Sequence, residues 1–534
     1  MAGGLEEQSQ PLLHKISPSI PTTEGEIDSY HCPPFGFNHG PRRVRDLPFL
    51  FIFFILVACT FAFGVFCVAH RNPDYRKLGY FAFDNSTSSC VESSTIVDER
   101  GTCSWLNAAN VVPKLLLEYL VSTLAITLAL STPLMLVLLR LLKNYAKQAV
   151  FLSLPLLVII PLLVNVFWFI TCTLSESCRE AFPLALRIFV LVFVFGVVGV
   201  ILYIILANWR SIDLTSKILG ISVHALEENL GLLGVMPSLM FALLVFFAPV
   251  IFFLVFARFN GRIVPRSSGS YDEHLCVWKQ DRWVPAYYAL AIITMIWSMA
   301  MMIEAQVYMI SGTVAQWYFA KDASMTRRRI RSSVRNAFGP SFGTVCFSGL
   351  LICVVRSVQN IIDSARREDA TGINLVLQHC IEFLLSAIDF LNKFTIHFVA
   401  ITGEGYCSAS KMTYELLRRN LLSVGFVEVS THMLLGIMFV ISTIYAIMVC
   451  AILMTVSKLG TNVYIMAMHA WLLLFVVLSC FVYVLDNVIN TIYVCFAIDR
   501  DKGEVSKHDV HQVYGLLTLT KRERLLLAGR TSLV

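Results

Sequence analysis

The clearest indication of the fold class is the stretch from Val284 to Arg335, which reads VPAYYALAIITMIWSMAMMIEAQVYMISGTVAQWYFAKDASMTRRRIRSSVR. It begins as an apolar helix, carries a single carboxylate at Glu304, and ends in a cluster of arginines. An ionisable group inside a membrane helix is costly unless it faces a partner or a water-filled path. The stretch therefore predicts a membrane-spanning helix in which Glu304 has a specific role.

The composition of the whole chain is that of a multi-pass membrane protein. Of its 534 residues, 57% are hydrophobic and 15% are charged, whereas soluble domains are about half apolar and a quarter charged. The apolar residues form long blocks and lack the period-2 alternation of outer-membrane strands. We therefore predict an all-α fold, a polytopic membrane helix bundle of about ten transmembrane helices, because each span needs roughly 20 apolar residues.

Besides the helix that begins at Val284, nine further blocks are predicted to span the membrane. They are Leu47–Val68, Leu115–Leu139, Val150–Thr173, Leu184–Ala207, Leu233–Phe256, Phe338–Ile362, Leu375–Ile401, Val427–Val456 and Val463–Ala497. The block that ends at Ile401 carries Glu382, Asp389, Lys393 and His397. It is either a span buried inside the bundle or a cytosolic helix, because such groups are expensive in lipid.

Two other segments are predicted to be amphipathic helices on the cytosolic side of the bundle. In residues 208–230, Leu214 and Ile218 recur at helical spacing on one face. In residues 408–422, Tyr414, Leu417 and Leu421 form the apolar face. Alternation of apolar and charged faces is typical of helices that lie at a membrane surface.

The domain organisation follows from the position of the apolar blocks. We expect a disordered cytosolic N-terminal tail at 1–46, because this region is polar and rich in Pro, Ser and Gly. Residues 47–498 are predicted to form the transmembrane domain, with an outer loop at 70–113, and residues 499–534 a cytosolic C-terminal tail.

Basic residues predict the orientation in the membrane. Arg42, Arg43 and Arg45 precede the first span, which places the N terminus in the cytosol by the positive-inside rule. An even number of spans then keeps both termini cytosolic. We expect the protein in the plasma membrane, with an endomembrane (vacuolar or Golgi) as the alternative.

Two features of the outer loop support this orientation. The only N-glycosylation sequon of the chain begins at Asn85 and falls in this loop, so Asn85 is the predicted glycosylation site. Cys90 and Cys103 lie in the same loop. Because oxidation is permitted outside the cytosol, a disulfide between them is predicted.

The helix that begins at Val284 carries the first candidate substrate site. Trp297, Met301, Glu304 and Tyr308 share one face because their spacings are those of a helix. A carboxylate flanked by aromatic rings suits an organic cation, since the π faces attract a quaternary ammonium. The alternative is a structural Glu304, protonated or hydrogen-bonded in a helix contact.

The last span carries the second candidate. Asp486, Asn490 and Tyr493 share a helix face, and Asp486 and Asn490 are predicted substrate contacts. The alternative is an ordinary polar helix end near the inner interface. Further along the first stretch, Trp317 is either part of an interfacial aromatic belt or follows a helix break near Gly312.

No pattern in the sequence indicates catalysis, a cofactor or a metal. There is no GxSxG elbow, HExxH pair or phosphate-binding glycine loop, so we expect a protein that is not an enzyme. His432 and His469 lie singly in apolar blocks and are interpreted as core histidines. The net charge of +6 is carried next to apolar blocks, which favours membrane lipids as partners and argues against nucleic acid.

Several motifs of the second half resemble the choline transporter-like family. They are Ser341 to Leu351 (SFGTVCFSGLL), Phe394 to His397 with Gly405 to Ser410 (GYCSAS) and Leu417 to Asn420 (LRRN), Asp486 to Phe496 (DNVINTIYVCF), and Val314 to Phe319 (VAQWYF). The chain departs from the family at Thr395–Phe398, where an asparagine followed by a tyrosine is usual.

The resemblance implies a ten-span carrier of choline or related organic cations with both termini in the cytosol. It also implies that the helix ending at Ile401 enters the bundle. Two alternatives come from other classes: a lipid-handling scaffold or scramblase without choline transport, and a membrane enzyme acting on lipid head groups.

Overall fold

The computed structural model describes residues 37, 40, 42–84, 89–92, 114–174, 176–207, 209–267, 274–320, 326–368, 372–456 and 462–515. The helices are α1 Leu47–Ala69, α2 Lys114–Leu174, α3 Glu176–Ala181, α4 Leu184–Ala207, α5 Trp209–Glu227, α6 Gly231–Ala257, α7 Val284–Tyr318, α8 Thr326–Ala337, α9 Phe342–Glu368, α10 Gly372–Thr402, α11 Tyr406–Val456 and α12 Asn462–Lys502.

The predicted polytopic helix bundle is confirmed. In the described ranges, nine helices are long and apolar enough to cross a membrane. Two predicted spans lie within the single helix α2, which is interrupted at Tyr145, where φ is −132° and ψ is 28°. Beyond this break lies the shorter apolar helix Val158–Leu174. With it, the described chain has about ten apolar segments of the kind that membrane spans require.

Two β-hairpins lie where only loops were expected. Strand β1 (Phe81–Asp84) pairs antiparallel with β2 (Ser89–Glu92), and β3 (Gly261–Ser267) pairs antiparallel with β4 (His274–Gln280). The second hairpin joins α6 to α7. The first hairpin lies in the predicted outer loop 70–113, and both hairpins leave the all-α class of the membrane region unchanged.

The disulfide prediction for the outer loop requires a correction. Cys90 is bonded to Cys276, with the two Cα atoms 6.0 Å apart, and the predicted partner Cys103 lies outside the described residues. The bond joins β2 to β4, strands that are 186 positions apart in the sequence, so only the tertiary fold reveals the pairing. A second disulfide joins Cys172 to Cys178. The predicted glycosylation site, Asn85, also lies outside the described residues.

Of the two predicted amphipathic helices, one is confirmed and the other differs. Helix α5 buries Leu214 and Ile218 and covers nearly the predicted range. Residues 408–422 do not form a separate helix, because they belong to the long helix α11. Tyr414, expected on the apolar face, is 56% exposed, whereas Leu416 and Leu417 are buried. The burial of both leucines shows that the buried face is turned by about one residue from the prediction.

The block with four ionisable groups enters the bundle. It forms α10, and residues 394–401 of this helix are all buried. The charged residues Glu382, Asp389 and Lys393 all precede this buried end of the helix.

Residues predicted to lie in the two tails contact the bundle. Arg42 donates hydrogen bonds to Tyr308 Oη and to the Ala400 carbonyl oxygen, although it falls within the predicted disordered range. Helix α12 continues past residue 498 to Lys502. Asp499 is fully buried and accepts a hydrogen bond from Tyr318 Oη at 3.0 Å.

Helix α7 runs unbroken through Gly312 to Tyr318, so the alternative of a helix break near Gly312 is wrong. Trp317 is 5% exposed, and its Nε1 donates to Glu228 Oε2 at 2.6 Å. Trp317 is therefore packed inside the protein and is not part of an aromatic belt facing lipid.

Helices α7 and α9 approach each other closely at Gly349. A Cβ atom at Gly349 would lie 2.7 Å from the Met301 backbone nitrogen, a separation that packed atoms do not adopt. Ser348 and Gly349 belong to the run of small residues in the α9 sequence. Small residues let the backbones of membrane helices approach closely, and here they place α9 directly against the part of α7 that carries Glu304.

We expect the Cys276→Ser variant to leave Cys90 free for alkylation, because the disulfide partner is removed. Peptide mapping of the unreduced wild type should find the Cys90 peptide linked to the Cys276 peptide. The matched control is Cys178→Ser, which should free Cys172 and leave Cys90 protected. A Cys90 peptide linked to Cys103 would contradict the structure.

We expect Gly349→Ala to lower the melting temperature in detergent by several degrees, since overpacking a close contact typically costs about 1–3 kcal/mol. The control is Gly199→Ala on α4, where a Cβ atom meets nothing within 4 Å. That variant should be neutral or slightly stabilising, because alanine is the better helix former. Equal melting temperatures for the two variants would contradict the tight contact.

Candidate functional site

A cavity of about 440 Å³ lies between four helices and contains the carboxylate of Glu304. We call it the central cavity. Its polar wall residues come from α7, α9, α10 and α12, and they are Glu304, Arg356, Gln359, Ser386, Asp389, Asn392, Lys393, His397, Tyr483, Asp486 and Asn487. The volume lies in the range of about 300–1,000 Å³ that is typical of small-molecule sites.

Glu304 is 5% exposed and has one hydrogen-bond donor. Ser348 Oγ lies 2.8 Å from Glu304 Oε2 and 3.0 Å from Asn392 Oδ1, so its single proton serves one of them at a time. Among the described residues, no basic side chain forms an ion pair with Glu304. The central cavity therefore contains a buried acidic side chain that has no basic partner among the described residues.

The other two carboxylates of the central cavity are each paired with a basic group. Arg356 donates to Asp389 Oδ2 at 2.8 Å, and Lys393 Nζ lies 3.6 Å from Asp486 Oδ2. Each of these pairs is formally neutral, so Glu304 is the one acidic residue of the described wall without a basic partner.

The remaining wall is aromatic and apolar, with one unusual histidine. Tyr483 and Phe390 supply rings, and Ile303 and Val307 supply aliphatic surface. His397 is fully buried, and its Nε2 atom has no hydrogen-bond partner. The wall thus offers π faces and aliphatic surface, with a fully buried histidine behind it.

A second cavity of about 310 Å³ shares Arg356, Gln359 and Ser386 with the first and reaches Asp363 and Glu382. We call it the vestibule. Helices α7 and α9 are antiparallel, since Cys353 contacts Ile296 and Ser341 contacts Tyr308. The C-terminal part of α9 therefore lies near the start of α7, so the vestibule is at the end of the bundle that carries β3 and β4.

The opposite end of the bundle is closed by the segment before α1. Asp46 Oδ2 accepts hydrogen bonds from Thr344 Oγ1 at 2.6 Å and from the Tyr406 backbone nitrogen at 2.9 Å. Arg42 covers the Tyr308 ring, with 5.5 Å from Cζ to the ring centroid. These contacts tie the segment to α7, α9, α10 and α11.

Two of the five predicted substrate contacts line the central cavity, namely Glu304 and Asp486. Trp297 is not among the lining residues, because its Nε1 donates to the Cys346 carbonyl oxygen at 3.0 Å and its ring packs on Phe53. Tyr308 lies at the closed end against Ser341 and Arg42. Asn490 stands behind Asp486 and donates to its Oδ2 at 3.2 Å.

The α10 residues are the part of the site that the sequence did not assign. Asp389, Lys393 and His397 were noticed only as costly groups in an apolar block. Together with Asn392, their spacings of three and four place them along one side of a helix. The spacing of these residues was visible in the sequence. It does not show, however, which neighbouring helix this side of α10 faces.

The comparisons with known proteins identify the family. Residues 191–501, more than half of the chain, match the family described as plasma-membrane choline transporter. A CTL-like protein of Dictyostelium discoideum is 23% identical over 218 residues, covering 38% of this chain and 39% of the relative. Choline transporter-like protein 2 of the same organism is 21% identical over 317 residues, covering 54% and 47%. The chain thus spans less than half of the length of these relatives.

We expect Asp46→Ala to lower the melting temperature more than Thr344→Val, because the first variant removes two hydrogen bonds to a carboxylate and the second removes one. Each such bond contributes about 1.5–3 kcal/mol. Glu504→Ala is the control, since this acid is 65% exposed. Thermal unfolding in detergent measures the difference, and an Asp46→Ala variant as stable as Glu504→Ala would contradict the closure by this segment.

Proposed function

The chain belongs to the plasma-membrane choline transporter family, and from this premise we propose that it carries choline or a related small organic cation across the membrane. The observation that carries the proposal is the unbalanced carboxylate of Glu304 in the wall of the central cavity. A cation of small size supplies the missing charge, and the same cavity offers it aromatic surface.

The chemistry of the wall favours a quaternary ammonium. Such a group cannot donate hydrogen bonds from its nitrogen, so its recognition rests on charge and on π faces. Glu304 provides the charge, and Tyr483 and Phe390 provide rings in the same wall. Asp486 adds negative potential, although Lys393 offsets it at 3.6 Å. The bound cation would offset the desolvation free energy of the buried Glu304 carboxylate, because its charge replaces the interaction with water.

The two ends of the bundle support transport by alternating access. The substrate enters through the vestibule, where Asp363 and Glu382 attract cations. Release on the other side requires separation of Asp46 from Thr344 and of Arg42 from Tyr308. Movement of one group of helices against another around a fixed site is the usual mechanism of such carriers.

We also propose that the end with the hairpins faces outward and that both termini are cytosolic, in the plasma membrane. The disulfides Cys90–Cys276 and Cys172–Cys178 support this orientation, because disulfides persist in oxidising compartments. The arginine-rich helix α8 lies at the other end, between α7 and α9, as the positive-inside rule requires.

The test is uptake of labelled choline by the purified chain in proteoliposomes. We expect uptake well above that of empty liposomes, and a loss of about 30-fold or more in Glu304→Gln, because truncating one partner of a buried charge pair costs about 2–5 kcal/mol. Glu304→Asp should retain part of the activity because it keeps the charge.

Glu504→Gln is the control, since it removes an exposed carboxylate far from the cavity lining. Wild-type protein that moves no choline or other small quaternary amine would overturn the proposed function. A Glu304→Gln variant that transports as well as Glu504→Gln would remove the role of Glu304 and leave the function standing.

A further inference from the structure

A cation site lies at the closed end of the bundle, and the side chain of Arg42 occupies it. Cζ of the guanidinium group is 5.5 Å from the centroid of the Tyr308 ring. The same group donates hydrogen bonds to Tyr308 Oη and to the backbone carbonyl oxygens of Val399 and Ala400. We call the Tyr308 ring and these two carbonyl groups the Tyr308 site. The guanidinium bound there shows that the site accommodates positive charge.

The Tyr308 site attracts cations by two means. The face of an aromatic ring carries negative potential, which attracts guanidinium and ammonium groups alike. Val399 and Ala400 lie in the last turn of α10, which ends at Thr402, and aligned peptide dipoles place about half a negative charge at the C-terminal end of a helix. Neither attraction requires hydrogen bonds from the ligand, so the site also suits a quaternary ammonium.

The Tyr308 site is one helical turn beyond the central cavity on both helices that form it. On α7, Glu304 lines the cavity, and Tyr308 follows it by four positions, which is about 6 Å along the helix axis. On α10, Ile396 lines the cavity, and Ala400 follows it by the same four positions. A cation that moves from Glu304 towards the closed end therefore meets the Tyr308 site next.

Arg42 is the accessible part of this arrangement. The Tyr308 ring is fully buried, whereas the Arg42 side chain is partly exposed. Residues 42–46 belong to no helix or strand, and the exposed Arg43 lies between Arg42 and the anchored Asp46. Departure of the Arg42 side chain therefore uncovers the ring and both carbonyl oxygens without unfolding a helix.

We propose that the Tyr308 site binds the transported cation after it leaves Glu304, and that Arg42 and this cation replace each other there. The inference rests on the proposed function, because it assigns the second binding site on the path of the same substrate. The cation binds when Arg42 leaves, and the return of Arg42 releases the cation and closes the end of the bundle again.

The exchange of one cation for the other explains how substrate promotes opening. The Arg42 guanidinium contacts the ring and both carbonyl groups, and two positive charges so close together repel each other. The site therefore holds one cation at a time. Departure of Arg42 alone leaves these groups without a cation, whereas exchange conserves the charge of the site. A substrate that binds only after Arg42 has left shifts the equilibrium towards the open end.

The experiment measures binding of choline at the Tyr308 site separately from the central cavity. The test proteins all carry Glu304→Gln, which removes the negative charge of the cavity site. One also carries Arg42→Ala, and the matched control carries Arg43→Ala instead, because Arg43 is the exposed neighbour. Thermal unfolding in detergent is followed with millimolar choline chloride and with sodium chloride at the same ionic strength.

We expect choline to raise the melting temperature of the Arg42→Ala protein by several degrees and that of the Arg43→Ala control by less than one degree. Addition of Tyr308→Leu to the Arg42→Ala protein should weaken choline binding about 5-fold or more, because the π face is lost. Tyr308→Phe should retain most of the binding, since it keeps the ring.

A second measurement uses the wild type. Choline should speed trypsin cleavage after Arg42 about 3-fold, because a displaced Arg42 side chain becomes accessible to the protease. Cleavage after the exposed Lys502 is the control and should proceed at the same rate with and without choline.

The outcomes separate this inference from the proposed function. If the wild type transports choline but choline stabilises the Arg42→Ala protein no more than the Arg43→Ala control, the Tyr308 site is overturned and the function stands. Equal choline binding with and without the Tyr308 ring also overturns the site. Wild-type protein that moves no small ammonium ion overturns the function itself. If a variant does not fold, the trypsin measurement decides, and cleavage after Arg42 that choline leaves unchanged overturns the inference.

Discussion

A carboxylate held inside the bundle with no balancing cation is the constraint on which the rest of the structure depends. Removal of Glu304 from water costs several kcal/mol unless other groups compensate. The protein offers one hydroxyl, from Ser348, at 2.8 Å. Beside that contact, α7 and α9 approach so closely that a Cβ atom at Gly349 would overlap the Met301 backbone. The tight helix contact and the charge of the cavity are thus two consequences of one arrangement.

The same carboxylate is connected by contacts to the closed end of the bundle. Ser348 lies between Glu304 and Asn392, and Asn392 Oδ1 also accepts from Tyr406 Oη. The backbone nitrogen of Tyr406 donates in turn to Asp46. A shift of α10 against α7 changes both the cavity wall and the closure near α1, because both are built on this series of hydrogen bonds.

Much of the fold was predictable from residue patterns, because lipid imposes strong rules on a helix. The apolar blocks predicted the membrane spans. Glu304 and Asp486 were recognisable as ionisable groups inside those blocks, where contact with lipid is energetically unfavourable. Which residues share a cavity was not predictable. Trp297 and Tyr308 lie on the predicted face of α7, but different neighbours cover that face along its length: Cys346 at one point and Arg42 at another. Periodicity gives the face of a helix but does not give its partners.

The pairing of Cys90 with Cys276 was unpredictable for the same reason. It depends on tertiary contact between two hairpins, which the local sequence of neither hairpin specifies.

In the transport cycle that we propose, the balance of charge in the central cavity also links cation binding to closure. If the vestibule closed around Glu304 alone, the carboxylate would lose its remaining access to water and would gain no partner. The pairs Arg356–Asp389 and Lys393–Asp486 cannot supply one without exposing a new unpaired acid. A bound cation removes the penalty, because its charge replaces the lost solvation. A ligand shifts a conformational equilibrium only by its different affinity for the two states. In the proposed cycle, that difference arises from Glu304, whose carboxylate gains a partner only when a cation occupies the cavity.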